Sequence, residues 1–147
     1  MIYTPLTRKA LKLCFDSHKD QVDKTGLPYV FHPFHLAEQM KDEYTTVCAL
    51  LHDVAEDTDT TVEDIRAMGF PGEVCDALKL LTHDVAAVPY MDYVADIKSN
   101  PIARAVKIAD LRHNSDATRL DEIDSKMKAR FEKYERALNF LLDSKED

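Results

Sequence analysis

His52, Asp53, Glu56 and Asp57 concentrate more potential chemistry than any other stretch, in Thr46-Val-Cys-Ala-Leu-Leu-His52-Asp53-Val-Ala-Glu56-Asp57-Thr-Asp-Thr. On a helix, Glu56 lies four positions after His52 and three after Asp53, and Asp57 lies four after Asp53, so all four crowd one side. Like charges at that spacing repel by roughly 0.2–0.5 kcal/mol per exposed pair, and by far more when desolvated. The residues just before them, Val47 to Leu51, are apolar on every side, as in a helix that is buried all round. No Lys or Arg occurs between Lys41 and Arg66. Positive charge must come from outside the segment, and a divalent cation is the simplest source. The bland alternative is an acidic helix end fraying into solvent, with His52 a hydrogen-bonded core histidine.

Two more polar groups interrupt apolar sequence. His32 sits between Phe31 and Pro33, and Asp110 closes Ala105-Val-Lys-Ile-Ala. Two His and two Asp from three separate helices would suit manganese, iron or zinc better than calcium, which prefers oxygen ligands throughout. Open coordination positions would make such a site catalytic.

Those side chains need helices to carry them. The 147 residues include only three Gly and no long Val/Ile/Thr alternation, so an all-α fold of about eight helices around the metal site is expected. Thr4-Pro5 opens a first helix ending near Lys19, and Asp20 to Phe31 is a loop. A short helix runs from Pro33 to about Met40, with His32 just before it, and the buried helix from about Tyr44 to Glu56. Thr60 and Glu63 stand as a capping box for a helix that stops at Gly69. Further helices start at Pro71, span Tyr90 to Lys98, and run from Pro101 to about Asn114. A last amphipathic helix covers about 123–142. Residues 1–147 read as a single domain, with the acidic tail from Leu142 a solvated helix end.

Composition narrows the function. A net charge of −8 and a pI near 5.2 argue against a nucleic-acid or anionic-membrane surface, while leaving room for one small anionic substrate. Cys14, Cys48 and Cys75 are odd in number and each in apolar context, so they read as buried free thiols in a reducing compartment. The first residues lack a signal peptide's apolar run and no segment approaches the roughly 18 apolar residues of a membrane span, so the expected location is the cytoplasm.

Three blocks, Pro28-Tyr29-Val30-Phe31-His32-Pro33, Leu50-Leu51-His52-Asp53-Val-Ala-Glu56-Asp57-Thr58 and Val106-Lys107-Ile108-Ala109-Asp110-Leu-Arg-His113-Asn114, occur in one order. Together they resemble the signature of the RelA/SpoT-type HD hydrolases, including the small stand-alone alarmone hydrolases, over about residues 18–114. The resemblance implies that His32, His52, Asp53 and Asp110 bind one manganese ion per chain, other divalent transition metals being possible. It implies that Glu56 and Asp57 orient and deprotonate the water that attacks the 3′-pyrophosphate of (p)ppGpp. Asn114 would hold the ribose or pyrophosphate end, and Lys24 would lie beside the nucleotide. The family pattern departs at Asp23, where an arginine is usual, and at Ser115-Asp116, where a hydrophobic residue and Arg are usual. Both changes remove positive charge, which favours a rival HD phosphohydrolase acting on a 5′-nucleotide or an NADPH-like substrate. A non-catalytic nucleotide sensor is the other rival, and intact Glu56 and Asp57 speak against it. Arg104, Lys107 and Arg112 are the cations available to compensate.

Of the remaining histidines, His35 is expected to be structural or on the surface, and His113 to pack against or orient a ligand. His18 and His83 read as ordinary polar residues. The partner is a small-molecule nucleotide, with no nucleic acid and no membrane; the sequence leaves the oligomeric state open.

Overall fold

A computed structural model describes residues 1–143 as eight α-helices and one 3-10 turn, without a strand among them. The helices are α1 (Pro5–His18), α2 (Phe31–Glu38), α3 (Glu43–Asp57), α4 (Val62–Ala67), α5 (Gly72–Leu81), α6 (Tyr90–Lys98), α7 (Pro101–Asn114) and α8 (Ser125–Leu142). The 3-10 turn, Ala117–Arg119, joins α7 to α8. The all-α expectation holds. The acidic tail beyond residue 143 lies outside the described residues.

Helix α3 is the axis of the fold. The Asp42 carboxylate caps it by accepting from the Thr45 N–H at 2.8 Å. Val47, Cys48, Ala49, Leu50, Leu51 and Val54 are all fully buried, as the uniform apolar run demands. Helices α1, α2, α5 and α7 pack around it, and α8 closes over α7 and α6. The apolar side chains form a contiguous core running from Ala10 and Cys14 of α1 through α3 to Ala137 and Leu141 of α8. All three cysteines are buried free thiols.

Three boundaries differ from the sequence expectation. Helix α2 begins two residues early, because the turn at Pro28 and Tyr29 already accepts hydrogen bonds from the Phe31 and His32 N–H groups. His32 therefore sits in the first turn of α2 and not before it. The capping box of α4 is Thr61 with Asp64, one residue beyond Thr60 and Glu63, with both reciprocal bonds present. The last helix starts at Ser125 and not at 123, because Asp124 is the residue whose carboxylate accepts from the Met127 N–H. The α1–α2 loop is a small hairpin, with Val22 bridged to Pro28 and its reversal at Gly26, whose φ of +87° disfavours a side chain.

Among the described residues, no helix is long and apolar enough to cross a membrane.

Candidate metal centre and catalytic cleft

His52 and Asp53 lie at the inner face of α3, His32 comes from α2, and Asp110 from α7. All four are about 6–7% exposed, so their charges are desolvated. One ligand atom each from His32, His52 and Asp53 lies within 4.8 Å of the others. Asp110 Oδ1 stands 2.9 Å from His32 Nε2 and 3.6 Å from His52 Nε2. Asp53 Oδ2 stands 3.6 Å and 3.2 Å from the same two nitrogens.

The donor set suits a cation. His52 Nδ1–H donates to the Ala49 carbonyl at 2.7 Å, which leaves the lone pair on Nε2. That buried Nε2 has no hydrogen-bond partner, although it faces two carboxylates. A lone pair facing carboxylate oxygens is repulsive unless something positive stands between them. Ligands about 2.0–2.2 Å from a common ion lie roughly 3–3.5 Å apart, close to the separations seen. Four mixed nitrogen and oxygen ligands fit a divalent transition metal. In their present arrangement, burial lowers the His52 pKa, but the charge of Asp53 and the contact with Asp110 outweigh it and raise it well above the ordinary value.

The candidate ligands are themselves held. Tyr29 OH donates to Asp53 Oδ2 at 2.7 Å and lies 3.2 Å from Asp57 Oδ2, so one hydroxyl ties the ligand to the neighbouring acid. His32 Nδ1 is 2.7 Å from His113 Nδ1, with the two rings stacked at 5.0 Å. Burial, and then the nearby Arg119, push the His113 pKa down to about 4, so His113 is neutral and accepts from His32. The sequence assigned His113 to packing against or orienting a ligand, and the structure places it against His32. His35 is exposed and packs its ring 4.2 Å from His113. Asn114 Nδ2 donates to Asp110 Oδ1 at 3.0 Å, so this amide steadies a ligand as well as facing the clefts.

The missing positive charge has a protein source too. Lys107 Nζ reaches Asp110 Oδ2 at 3.1 Å, one turn away on α7. Burial disfavours its charge, but Asp110 overcomes that and holds the ammonium protonated. Despite desolvation, Lys107 and the histidine contacts keep Asp110 well below the usual carboxylate range. Of the other two cations considered, Arg104 donates to the Leu141 carbonyl, and Arg112 is exposed outside both clefts.

Glu56 and Asp57 line the same cleft of about 390 Å³ as Asp53 and Asp110. Glu56 Oε2 accepts from the His83 N–H at 2.8 Å. Enclosure by the cleft raises both pKa values; Asp53 adds to each, and Asp57 adds to that of Glu56. A second cleft of about 340 Å³ adjoins the first, sharing Tyr29, His32, Asn114 and Tyr134. Lys24 borders only this second cleft, with Arg119 and Arg130.

Sequence reasoning passed over three positioning residues. Tyr29 stands in the first of the three motifs, but only its hydroxyl's direction reveals its part. His83 acts through its backbone, which no side-chain pattern signals; its ring stacks on Tyr93 at 4.3 Å. His18 is fully buried, bonded to Gln21 at 2.9 Å, and backs Tyr29 with ring centres 5.2 Å apart.

No family model matches the chain. The guanosine-3′,5′-bis(diphosphate) 3′-pyrophosphohydrolase of Aquifex aeolicus (strain VF5) is 44% identical over 63 residues, 40% of this chain and 9% of that protein. The bifunctional (p)ppGpp synthase/hydrolase SpoT of Escherichia coli (strain K12) is 40% identical over 65 residues, 42% of this chain and 9% of that protein. The match thus spans less than a tenth of these curated relatives. A solved structure of a metazoan ortholog of SpoT that hydrolyses ppGpp superposes with a TM-score of 0.78 at 21% identity, covering 98% of this chain and 89% of that one. The structural likeness establishes the shared helical fold. Its three ordered motifs and these partial matches make the chain similar to the RelA/SpoT-type HD-domain proteins.

Proposed function

We propose that the chain is a metal-dependent phosphohydrolase that removes pyrophosphate from the 3′ position of (p)ppGpp. One observation carries the reading: His32, His52, Asp53 and Asp110 converge from three helices beside a cleft that also holds Glu56 and Asp57. The names of the relatives supply the substrate class. The contiguous core supports treating residues 1–147 as one HD hydrolase domain, with motif-bearing helices over about 18–114 and α8 as a packing helix.

His32, His52, Asp53 and Asp110 would hold one manganese or a related divalent ion. When bound, such an ion acidifies water toward a pKa of about 7 and offsets charge on the phosphoryl oxygens. The rest falls to the chain's own side chains. Glu56, fixed by the His83 N–H, and Asp57, fixed by Tyr29, take the proton of the attacking water. Their raised pKa values bring them nearer to neutrality, where a carboxylate both accepts and returns a proton. Water oxygen bonds to the phosphorus next to the ribose, the bond from that phosphorus to O3′ breaks, and pyrophosphate leaves. The proton passes to O3′. Asn114 and Lys24 are assigned to the substrate, Asn114 at the junction of the two clefts and Lys24 on the rim of the second.

The two acidic departures support this reading. Asp23 accepts from the Thr25 and Leu27 N–H groups and lies 4.0 Å from Arg119, so it serves the hairpin and draws a new arginine to the second cleft. Asp116 caps the 3-10 turn that carries Arg119. The cytoplasm is the compartment where such a nucleotide substrate would be met.

The test is product release from ppGpp, GMP and NADPH by manganese-loaded protein, with Glu56→Gln/Asp57→Asn as control. Pyrophosphate release from ppGpp, absent in the control, is the expected result. Turnover of GMP or NADPH alone would overturn the substrate and keep the metal site.

A further inference from the structure

The metal cleft brings four carboxylates, Asp53, Glu56, Asp57 and Asp110, against only two lysines, Lys107 and Lys133. Lys107 is already committed to Asp110 at 3.1 Å. Lys133 differs. It projects from α8, half-buried, with Nζ 4.4 Å from the centre of the Tyr90 ring and 5.7 Å from that of Tyr134. Among the described residues, no carboxylate lies within ion-pair distance of it. The aromatic faces hold the ammonium at the cleft wall by cation–π attraction, away from the acids that would otherwise capture it. Beside it, the Tyr90 hydroxyl is buried without a hydrogen-bond partner. A buried polar group without a partner marks a place where a partner is expected.

We propose that Lys133 is a substrate-binding residue that grips a phosphoryl oxygen in the catalytic cleft, from the wall built by α6 and α8. The assignment rests on the phosphohydrolase reading above. A phosphorylated substrate adds negative charge to a cleft that already has an acidic excess, and among the described residues Lys133 is the cleft-lining ammonium that no carboxylate pairs. Three donors on a flexible stem let it leave the Tyr90 face and follow a phosphoryl group without rearranging the backbone. α8 thereby contributes to recognition as well as packing.

The experiment compares wild type with Lys133→Gln and Lys133→Arg, using Lys128→Gln, an exposed site on the same helix, as a control. It measures steady-state ppGpp hydrolysis, pyrophosphate binding by calorimetry on the manganese-loaded protein, and circular dichroism to verify folding. Lys133→Gln should raise KM, and weaken pyrophosphate binding, by about tenfold or more, the usual worth of a hydrogen bond to a charged group. kcat should change less. Lys133→Arg should keep most of the affinity, and Lys128→Gln all of it. Unchanged KM and pyrophosphate affinity in a folded Lys133→Gln protein would overturn the assignment while leaving the hydrolase reading intact. A wild type inert towards ppGpp, with pyrophosphate binding that still weakens in Lys133→Gln, would sink that substrate and support the clamp.

Discussion

Tyr29 shows how much one hydroxyl can govern. It donates to Asp53, a proposed metal ligand, and reaches Asp57, a proposed base. Tyr29→Phe keeps the ring against His18 and removes only those bonds. Partners that orient ligands are typically worth 10–100-fold in activity or metal affinity. Tyr29→Phe should therefore lose activity and manganese affinity together by about that factor, as read by kinetics and metal titration. The acids carry a second prediction. Glu56 and Asp57 have folded-state pKa values raised first by enclosure and then by neighbouring carboxylates. A carboxyl raised in this way binds its proton more tightly when folded. Stability therefore falls as pH climbs from the ordinary carboxylate range through the raised value. In metal-free protein, Glu56→Gln or Asp57→Asn should remove that penalty and melt slightly higher than wild type at pH 7. The gain should fade toward pH 4. The cleft encloses these carboxyls only partly and both residues keep substantial solvent exposure, so the gain should be on the order of 1 °C. Activity should fall by ~10²-fold or more. Melting curves across pH, beside a rate assay, check both.

At the scale of elements, legibility tracked burial. The all-apolar run Val47–Leu51 identified α3, and Pro5 and Pro101 placed the starts of α1 and α7, since proline is compatible with a first turn and little else in a helix. The errors lie where a side chain could cap at either of two adjacent positions, as at Thr60 and Thr61, or where a turn merges into a helix, as before His32. Backbone donors were invisible for the same reason. His83 positions Glu56 from the end of α5, and that proximity exists only once α3 and α5 pack. The proposed ligands could be picked out in the sequence because metal chemistry restricts residue type, whereas their supports could not, since a peptide N–H belongs to every residue type but proline. Leu51 tests the axis. It is fully buried one residue before His52, so Leu51→Ala should cost about 2–5 kcal/mol in denaturant unfolding and loosen the metal site with it.

For the whole molecule, the metal is expected to act as part of the fold. Its proposed ligands are desolvated and the Asp53 and Asp110 carboxylates repel each other, so binding to the native state should stabilise it by mass action. At a hundredfold excess over Kd that amounts to about 2.7 kcal/mol, and the melting temperature should rise with manganese concentration and drop on chelation. A melting temperature indifferent to both would contradict the metal site. The acidic surface, net −8, is compatible with this scheme because the attraction for an anionic substrate is local, concentrated in two clefts bearing lysines and arginines.

His32 and Asp110 meet in space but are 78 positions apart in the chain. An ion that holds both closes a long loop, much as a covalent crosslink would, and long loops are where such closure removes most entropy from the unfolded chain. It also imposes an order in time. On a growing polypeptide, His32, His52 and Asp53 emerge well before α7, so they wait as an incomplete set until Asp110 and Lys107 arrive. Under the proposed function, hydrolytic competence would be deferred until α7 has been synthesised, and a nascent fragment ending before α7 should neither retain manganese tightly nor consume the nucleotide.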